Sequence, residues 1–428
     1  MTTNGAILNL VAKGTQDIVL TKKPNFSFFR SSYRKHTNYV KTYFEDQFQN
    51  GSKFGGKSVY NVYPRGDLLS DVILRINLPE IEQPVGVKMK YVNAVGHSII
   101  KNVKLLIGTQ IINEYSGEYL DIRSELTTTE GKIQTYNEMV GKLGTNVNSI
   151  DFDSHSGPLT LFVPLKFYFT KSLSKALPIF LMRENHQIRI EVEWRPLSEI
   201  VINNDLTGTS TIPSNLTLDS SLYLETIFLE NFERNLFGSR MKTGMTYLIE
   251  QVQLIEKNNI PYQNGLVDIP IRNFNHPVKE LIWVIQRNDV DSVDVSGNIY
   301  GNDWLNFTTE LGTPSDDTID TFSRLKIKLD NHDRTLDLDA NFLRTFIPYK
   351  YHTRVSSTYI YTYPFSFQPE SWKPSGSLNF SRINNPDILL KFEGLTSTSD
   401  ERRNIRIYAL NYNLLVLRNG LAGLMFLN

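Results

Sequence analysis

Forty-five lysines and arginines balance forty-five aspartates and glutamates over 428 residues, so no long-range field draws the chain onto nucleic acid, and a DNA-packing role is disfavoured. The absence of cysteine removes disulfides, thiolate metal sites and redox chemistry, and agrees with assembly in a reducing compartment. At this length two or three domains are expected, and 24 Phe and 21 Tyr against 4 Trp favour pleated, half-buried surfaces.

The opening residues, MTTNGAILNLVAKG, carry neither a basic leader nor a long apolar core. No run approaches 18 apolar residues, so a soluble, non-secreted chain is expected. Zero net charge is poor for a free monomer and favours a protein that assembles. Ile7, Leu8, Leu10 and Val11 fall close to one side of a short helix that Gly14 stops. So short a helix must dock on something. The basic run Arg30 to Lys41 interleaves cations with Tyr33 and Tyr39. It fits an edge strand guarded by cations at least as well as a nucleic-acid patch, with an interface to acidic neighbours between the two.

From Arg65 the strands become legible. Val72, Leu74, Ile76 and Leu78 alternate with Ile73, Arg75 and Asn77, and Leu161, Val163, Leu165, Phe167 and Phe169 repeat the period. In HQIRIEVEWRP, Ile188, Ile190, Val192 and Trp194 face one way while Arg189, Glu191 and Glu193 are expected to face water, with Pro196 as the stop.

Three segments of the first half recur in order in the second. The stretch from Asn102, NVKLLIGTQIINEYSGEYL, resembles RLKIKLDNHDRTLDLDANFL from Arg324: strand, turn, strand, short helix. LMRENHQIRIEVEW from Leu181 resembles NFSRINNPDILLKFEG from Asn379, and LYLETIFLENFERNLF from Leu222 resembles IRIYALNYNLLVLRNG from Ile405. Shared order implies a duplicated fold. The boundary is expected in the polar, basic stretch Phe237 to Gly244, and irregular loops at about 131–158, 196–219 and 286–321. Many short strands and few helices predict an all-β sandwich or barrel, although periodicity alone does not separate a jelly roll from an immunoglobulin-like sandwich.

Gly51 to Ser58, GSKFGGKS, satisfies the phosphate-loop pattern G-x-x-x-x-G-K-S. That loop needs a helix after it, and VYNVYPRGDLL reads as strand and turn, so a flexible hairpin is expected. The seven histidines, at 36, 97, 155, 186, 276, 332 and 352, never take metal-pair spacing. Isolated ones such as His276 are expected at the surface or in turns. Asp289, Asp291 and Asp294, and Asp330, Asp333, Asp337 and Asp339, miss the register of a calcium loop and read as solvated charges. Sequons at Asn25, Asn215, Asn306 and Asn379 matter only on a secretory route, and Asn379 is expected to be structural. No nucleophile elbow or H-E-x-x-H pair occurs. No catalytic, cofactor or metal residue is therefore assigned.

Pro374-Ser375-Gly376, Asn379-Phe380-Ser381-Arg382-Ile383, Asn411-Tyr412-Asn413 and Gly420-Leu421-Ala422-Gly423 resemble the carboxyl-terminal signature of the double jelly-roll major capsid proteins of nucleocytoplasmic large DNA viruses. Leu10-Val11-Ala12, Gly14, Gln16-Asp17, Leu20-Thr21, Pro24, Phe28-Phe29 and Tyr33-Arg34 match that family's leader. The resemblance implies an arm at 1–24, a first eight-stranded jelly roll at 25–237, a linker at 238–244 and a second jelly roll at 245–428, with long loops and short helices. It also implies a non-enzymatic homotrimer, a pseudo-hexagonal capsomer that tiles an icosahedral shell. Partners would be neighbouring capsomers, minor capsid and penton proteins and inner membrane proteins, without direct nucleic-acid contact; the place would be the virion, assembled in the host cytoplasm. The rival reading is a tandem jelly-roll carbohydrate-binding or attachment spike protein, and a cupin-like enzyme is disfavoured by the histidines.

Overall fold

The structure, a computed structural model, describes residues 4–31, 33, 35–83, 86–142, 156–205, 212, 216–292, 301–309, 320–393 and 401–427. Residues 1–38 and 39–428 form separate compact units. The first holds two short helices, α1 (Asn4–Val11) and α2 (Thr15–Thr21). Gly14 separates them, its amide donating to Asp17 Oδ2 at 2.9 Å.

In the second unit the period-two patterning becomes two successive sets of eight strands. The first set is β1 (Tyr39–Gln47), β2 (Lys57–Asn61), β3 (Leu68–Leu78), β4 (Ile100–Ile107), β5 (Gln110–Tyr115), β6 (Leu159–Pro164), β7 (Ile188–Trp194) and β8 (Asp219–Leu229). The second is β9 (Met245–Pro261), β10 (Gly265–Pro270), β11 (Pro277–Arg287), β12 (Arg324–Leu329), β13 (His332–Asp333), β14 (Ile360–Pro364), β15 (Pro386–Phe392) and β16 (Arg402–Arg418). The first set pairs as β1-β8-β3-β6 and β2-β7-β4-β5, and the second as β9-β16-β11-β14 and β10-β15-β12-β13. First strand beside last and repeated crossing between two antiparallel sheets make each set a jelly roll. The second set repeats the first strand for strand, and the three sequence repeats fall on equivalent strands.

Among the described residues five further α-helices interrupt the strands: α3 (Val95–Ser98), α4 (Gly117–Thr127), α5 (Glu130–Val140), α6 (Asn231–Thr243) and α7 (Ile347–Tyr351). The stretch expected to be irregular from 131 thus begins as helix α5, and residues 143–155 of it lie outside the described residues. Within 196–219, Val201–Asn203 pairs with Met89–Tyr91. The polar stretch 237–244 is the last two turns of α6, which ends at Gly244 with φ 108°.

Val72, Leu74, Ile76, Leu78, Ile188, Ile190, Val192 and Trp194 are all buried, as alternation predicts. Glu191 departs from it. Rather than facing water it is buried, because Lys57 of β2 lies across it at 2.7 Å and Arg189 at 3.5 Å. The second roll's sheet β9-β16-β11-β14 is covered on both faces. Leu281, Trp283, Ile285, Ile407 and Ala409 join that roll's own core, whereas Ile282, Val284, Tyr408 and Leu410 join the core of the first roll. At roughly 1.5–3 kcal/mol for each large apolar side chain fully buried, this outer face is what holds the two rolls together.

Candidate functional site

Helix α4 carries four charged residues, Glu118, Asp121, Arg123 and Glu125, yet every residue from Gly117 to Leu126 is buried. Ser116 caps it, its Oγ accepting from the Tyr119 amide at 3.3 Å. Only glycine fits at 117, where a Cβ would lie 2.0 Å from the His97 carbonyl oxygen. Tyr119 then meets Tyr408 of β16 with ring centroids 5.3 Å apart. An unpaired charge at this depth would cost several kcal/mol, and each of the four has an opposite charge within 4 Å, Arg123 the most loosely.

Glu118 accepts from Arg195 at 2.7 Å and lies 3.6 Å from Arg406. Lys142 donates to Asp121 at 3.0 Å and to Glu125 at 2.6 Å, and His97 Nδ1 lies 3.2 Å from Asp121. Arg354 pairs with Glu125, and its Nε donates to the Glu125 carbonyl at 2.9 Å. Arg123 is 3.9 Å from Glu280. Arg354, Arg406 and Glu280 belong to the second roll, so α4 is a charged strut across the seam.

Two further knots sit beside it. Glu250 of β9 holds Lys171 of the first roll and, at 2.6 Å, Lys279 of β11. His352 lies between Glu280 at 2.5 Å and Glu370 at 3.0 Å. Burial alone would raise Asp121, but the Lys142 ammonium and His97 outweigh it and hold the carboxyl well below its usual range. Burial is outweighed at Glu250 too, where the two ammonium groups bring it down to about 2. Lys171 is pushed well down by burial and by the like charges of Lys279 and Arg123. At His352, burial is overcome by Glu280 and Glu370, which lift the imidazole to about 9 and keep it charged. A buried ion pair roughly breaks even against an apolar pair of the same shape. The apolar face therefore supplies the attraction between the rolls, and the charges select one register for it.

Apart from His97 and His352, none of these seam residues was singled out in the sequence. Of the stretches that were, the phosphate-loop look-alike runs straight into strand β2. Its Lys57 pairs with Glu191, and its Ser58 hydroxyl donates to the Gly51 carbonyl at 2.9 Å while accepting from Trp194 Nε1 at 2.7 Å. His276 is a turn residue with φ 66° but is buried there, and His97 and His352 are buried in the seam. His155, Asp294 and Asn215 lie outside the described residues. Asp289 pairs with Arg287, Asp333 and Asp337 with Lys326, and Asp339 with Arg324, while Asp291 is exposed. Asp330 Oδ1 accepts from the amides of Asn384 and Asn385, and Asn379 Oδ1 from that of Ser381. Of the basic run, Lys41 sits on β1, which pairs only with β8 in its sheet, and is held by Glu225 at 2.5 Å.

Apolar groups also remain on the outside. The strand Leu421–Leu424 closes a hairpin on β16, and beyond it Met425, Phe426 and Leu427 are exposed together with Leu421. Phe342 and Phe346 stack at 5.0 Å on the second roll and are partly bare, with Tyr349 more so.

Comparison with known proteins agrees with this architecture. Residues 27–230 match the family described as "Major capsid protein N-terminus", and residues 233–423 match "Large eukaryotic DNA virus major capsid protein". The major capsid protein of Pyramimonas orientalis virus is 30% identical over 450 aligned positions, 99% of this chain and 100% of that one. That of Paramecium bursaria Chlorella virus 1 is 25% identical over 99% of this chain and 100% of its own. Among solved structures, a quasi-atomic model of the PBCV-1 virus capsid superposes with a TM-score of 0.75 at 21% identity, covering 94% of this chain and 100% of that one. The Faustovirus major capsid protein does so with 0.74 at 14% identity, covering 95% and 94%. The twin jelly rolls, each half matched by its own family description, show that this chain belongs to the major capsid proteins of large eukaryotic DNA viruses.

Proposed function

We propose that the chain works by burial and shape complementarity, without turnover: three copies close into a pseudo-hexagonal capsomer, and capsomers tile an icosahedral shell. The observation that carries this is the seam. A single chain presents two jelly rolls of identical strand order in one fixed register, so three chains supply six similar corners. The exposed apolar groups at 421–427, and Phe342, Phe346 and Tyr349, are the kind of surface that a neighbouring copy covers, in an interface of more than about 2,000 Å² for an obligate oligomer.

Neighbouring capsomers, minor capsid and penton proteins and inner membrane proteins are the partners this role needs, and the host cytoplasm is where the shell would form. The domain limits follow the same reading: an arm at 1–24, jelly rolls at 25–237 and 245–428, and a junction at 238–244 made by the end of α6. Light scattering and electron microscopy of the purified protein test it. A trimer that appears as a six-cornered particle is the expected result; a well-folded dilute monomer that binds glycans would overturn it.

A further inference from the structure

Between the rolls lies a cavity of about 300 Å³, lined by Arg123, Lys166 and Lys171 against Glu250 and Glu370, with Asn113, Tyr168 and Trp372 among its walls. The two carboxylates are already satisfied. Glu250 holds Lys171 and Lys279, and Glu370 holds His352 and both the amide and the hydroxyl of Thr353. Of the cations, Lys171 is met by Glu250, whereas Arg123 and Lys166 are not fully met. Arg123 is buried at 6% exposure, the carboxylate within 4 Å of it is that of Glu280 at 3.9 Å with Glu250 and Glu370 acting on its charge from farther off, and its Nη1 has no hydrogen-bond partner among the described residues. The Tyr168 hydroxyl and Asn113 Oδ1 are likewise buried without partners. Lys166 is exposed and makes no ion pair among the described residues; desolvation of its ammonium, with the like charge of Arg123, lowers its pKa against the opposing pull of Asp71.

A guanidinium N–H and a phenol without partners, and an ammonium without an ion pair, sit on residues that line one water-sized to phosphate-sized space and form a donor set that lacks its acceptor. Leaving a buried charged donor unmade costs more than leaving a neutral one, and a guanidinium fork fits the oxygens of a tetrahedral oxyanion. We propose that this cavity binds a small oxyanion of the phosphate class, with Arg123 and Lys166 as charged ligands and the Tyr168 hydroxyl as a neutral donor. The anion would sit between α4 of the first roll and β9 of the second, and so tie the two rolls together.

The test uses the purified full-length protein, with inorganic phosphate as probe and sodium chloride at matched ionic strength as control. Isothermal titration should show one saturable phosphate site per chain, and phosphate should raise the melting temperature beyond the chloride control. Lys166→Met should weaken phosphate binding at least tenfold without lowering the phosphate-free melting temperature, because that lysine has no ion pair to lose. Arg123→Gln serves as a second variant if it folds, and should abolish the site. Phosphate and chloride acting alike on the native protein, or phosphate binding unchanged in Lys166→Met, would overturn the proposal.

Discussion

Glu250→Gln removes the one carboxylate shared by Lys171 and Lys279. Lys279 has no exposed side-chain surface and Glu250 only 8%, so the lysine cannot swing out to water when its partner is neutralised. Removing one member of such a buried pair costs about 3–5 kcal/mol, a large fraction of the roughly 5–15 kcal/mol that keeps a domain folded. Urea unfolding at pH 7, followed by tryptophan fluorescence, should show a lower midpoint with an unchanged denaturant slope. The pH dependence has a defined sign. Glu250 is depressed from 4.5 to about 2, so its contribution is fully present above pH 4.5 and is lost as pH falls towards 2. The gap between native and Glu250→Gln proteins should therefore close across that window. The triple variant Glu250→Leu, Lys171→Met and Lys279→Met should recover most of the loss, since an apolar cluster of similar volume replaces the ion cluster at little net cost. A single-variant loss below about 1 kcal/mol, the range of an exposed pair, would refute the claim that these charges are locked in the seam.

Three further perturbations probe other parts of the molecule. His352 is raised from 6.5 to about 9, so its stabilisation is present below pH 6.5 and lost as pH rises through 9. It is worth about 3 kcal/mol at 1.36 kcal/mol per pH unit, and melting curves of the native protein should fall across that interval while those of His352→Gln stay flatter. Gly117→Ala should destabilise by about 3 kcal/mol or more, measured by the same urea titration, because its Cβ would overlap a backbone oxygen that α3 and α4 cannot both yield. Deleting residues 1–24 should leave the melting temperature nearly unchanged, since 1–38 is a unit of its own, while electron microscopy should show shell assembly impaired; a truncated protein that fails to fold, or that assembles as well as the full chain, would count against the arm's assigned role.

The jelly rolls were legible because their strands obey a local rule. Alternation in Val72 to Leu78 and Ile188 to Trp194 reports one wet and one dry face, and the three repeats report the duplication. The seam was not legible for the same reason. Helix α4, SGEYLDIRSELT with its capping serine, has the composition of a solvent-facing helix, and its burial depends on Lys142, Arg354, Glu280 and Arg406, far away in sequence. Glu191 was misread as wet because the strand period carries no information about Lys57 on the neighbouring strand. The long runs ELIWVIQ and YALNYNLL do carry a trace of the seam: apolar residues on both faces of β11 and β16 mean that both are covered, although they do not say by what.

The same physics separates what is inside the chain from what is left for its neighbours. Across the seam the apolar face is continuous and three of the four α4 charges are closely matched, with Arg123 more loosely held, so that contact can form once and persist. On the outside, Leu421, Phe426, Phe346 and Tyr349 are bare, and surface ion pairs such as Lys326 with Asp333 have side chains 26% and 50% exposed. Exposed pairs of this kind are worth about 0–1 kcal/mol and weaken with salt. A shell built on such contacts gains its strength from apolar area and repetition, and little from any single charge. Raising the salt should accordingly weaken the exposed surface pairs more than the buried pairs between the two rolls, which are screened much less.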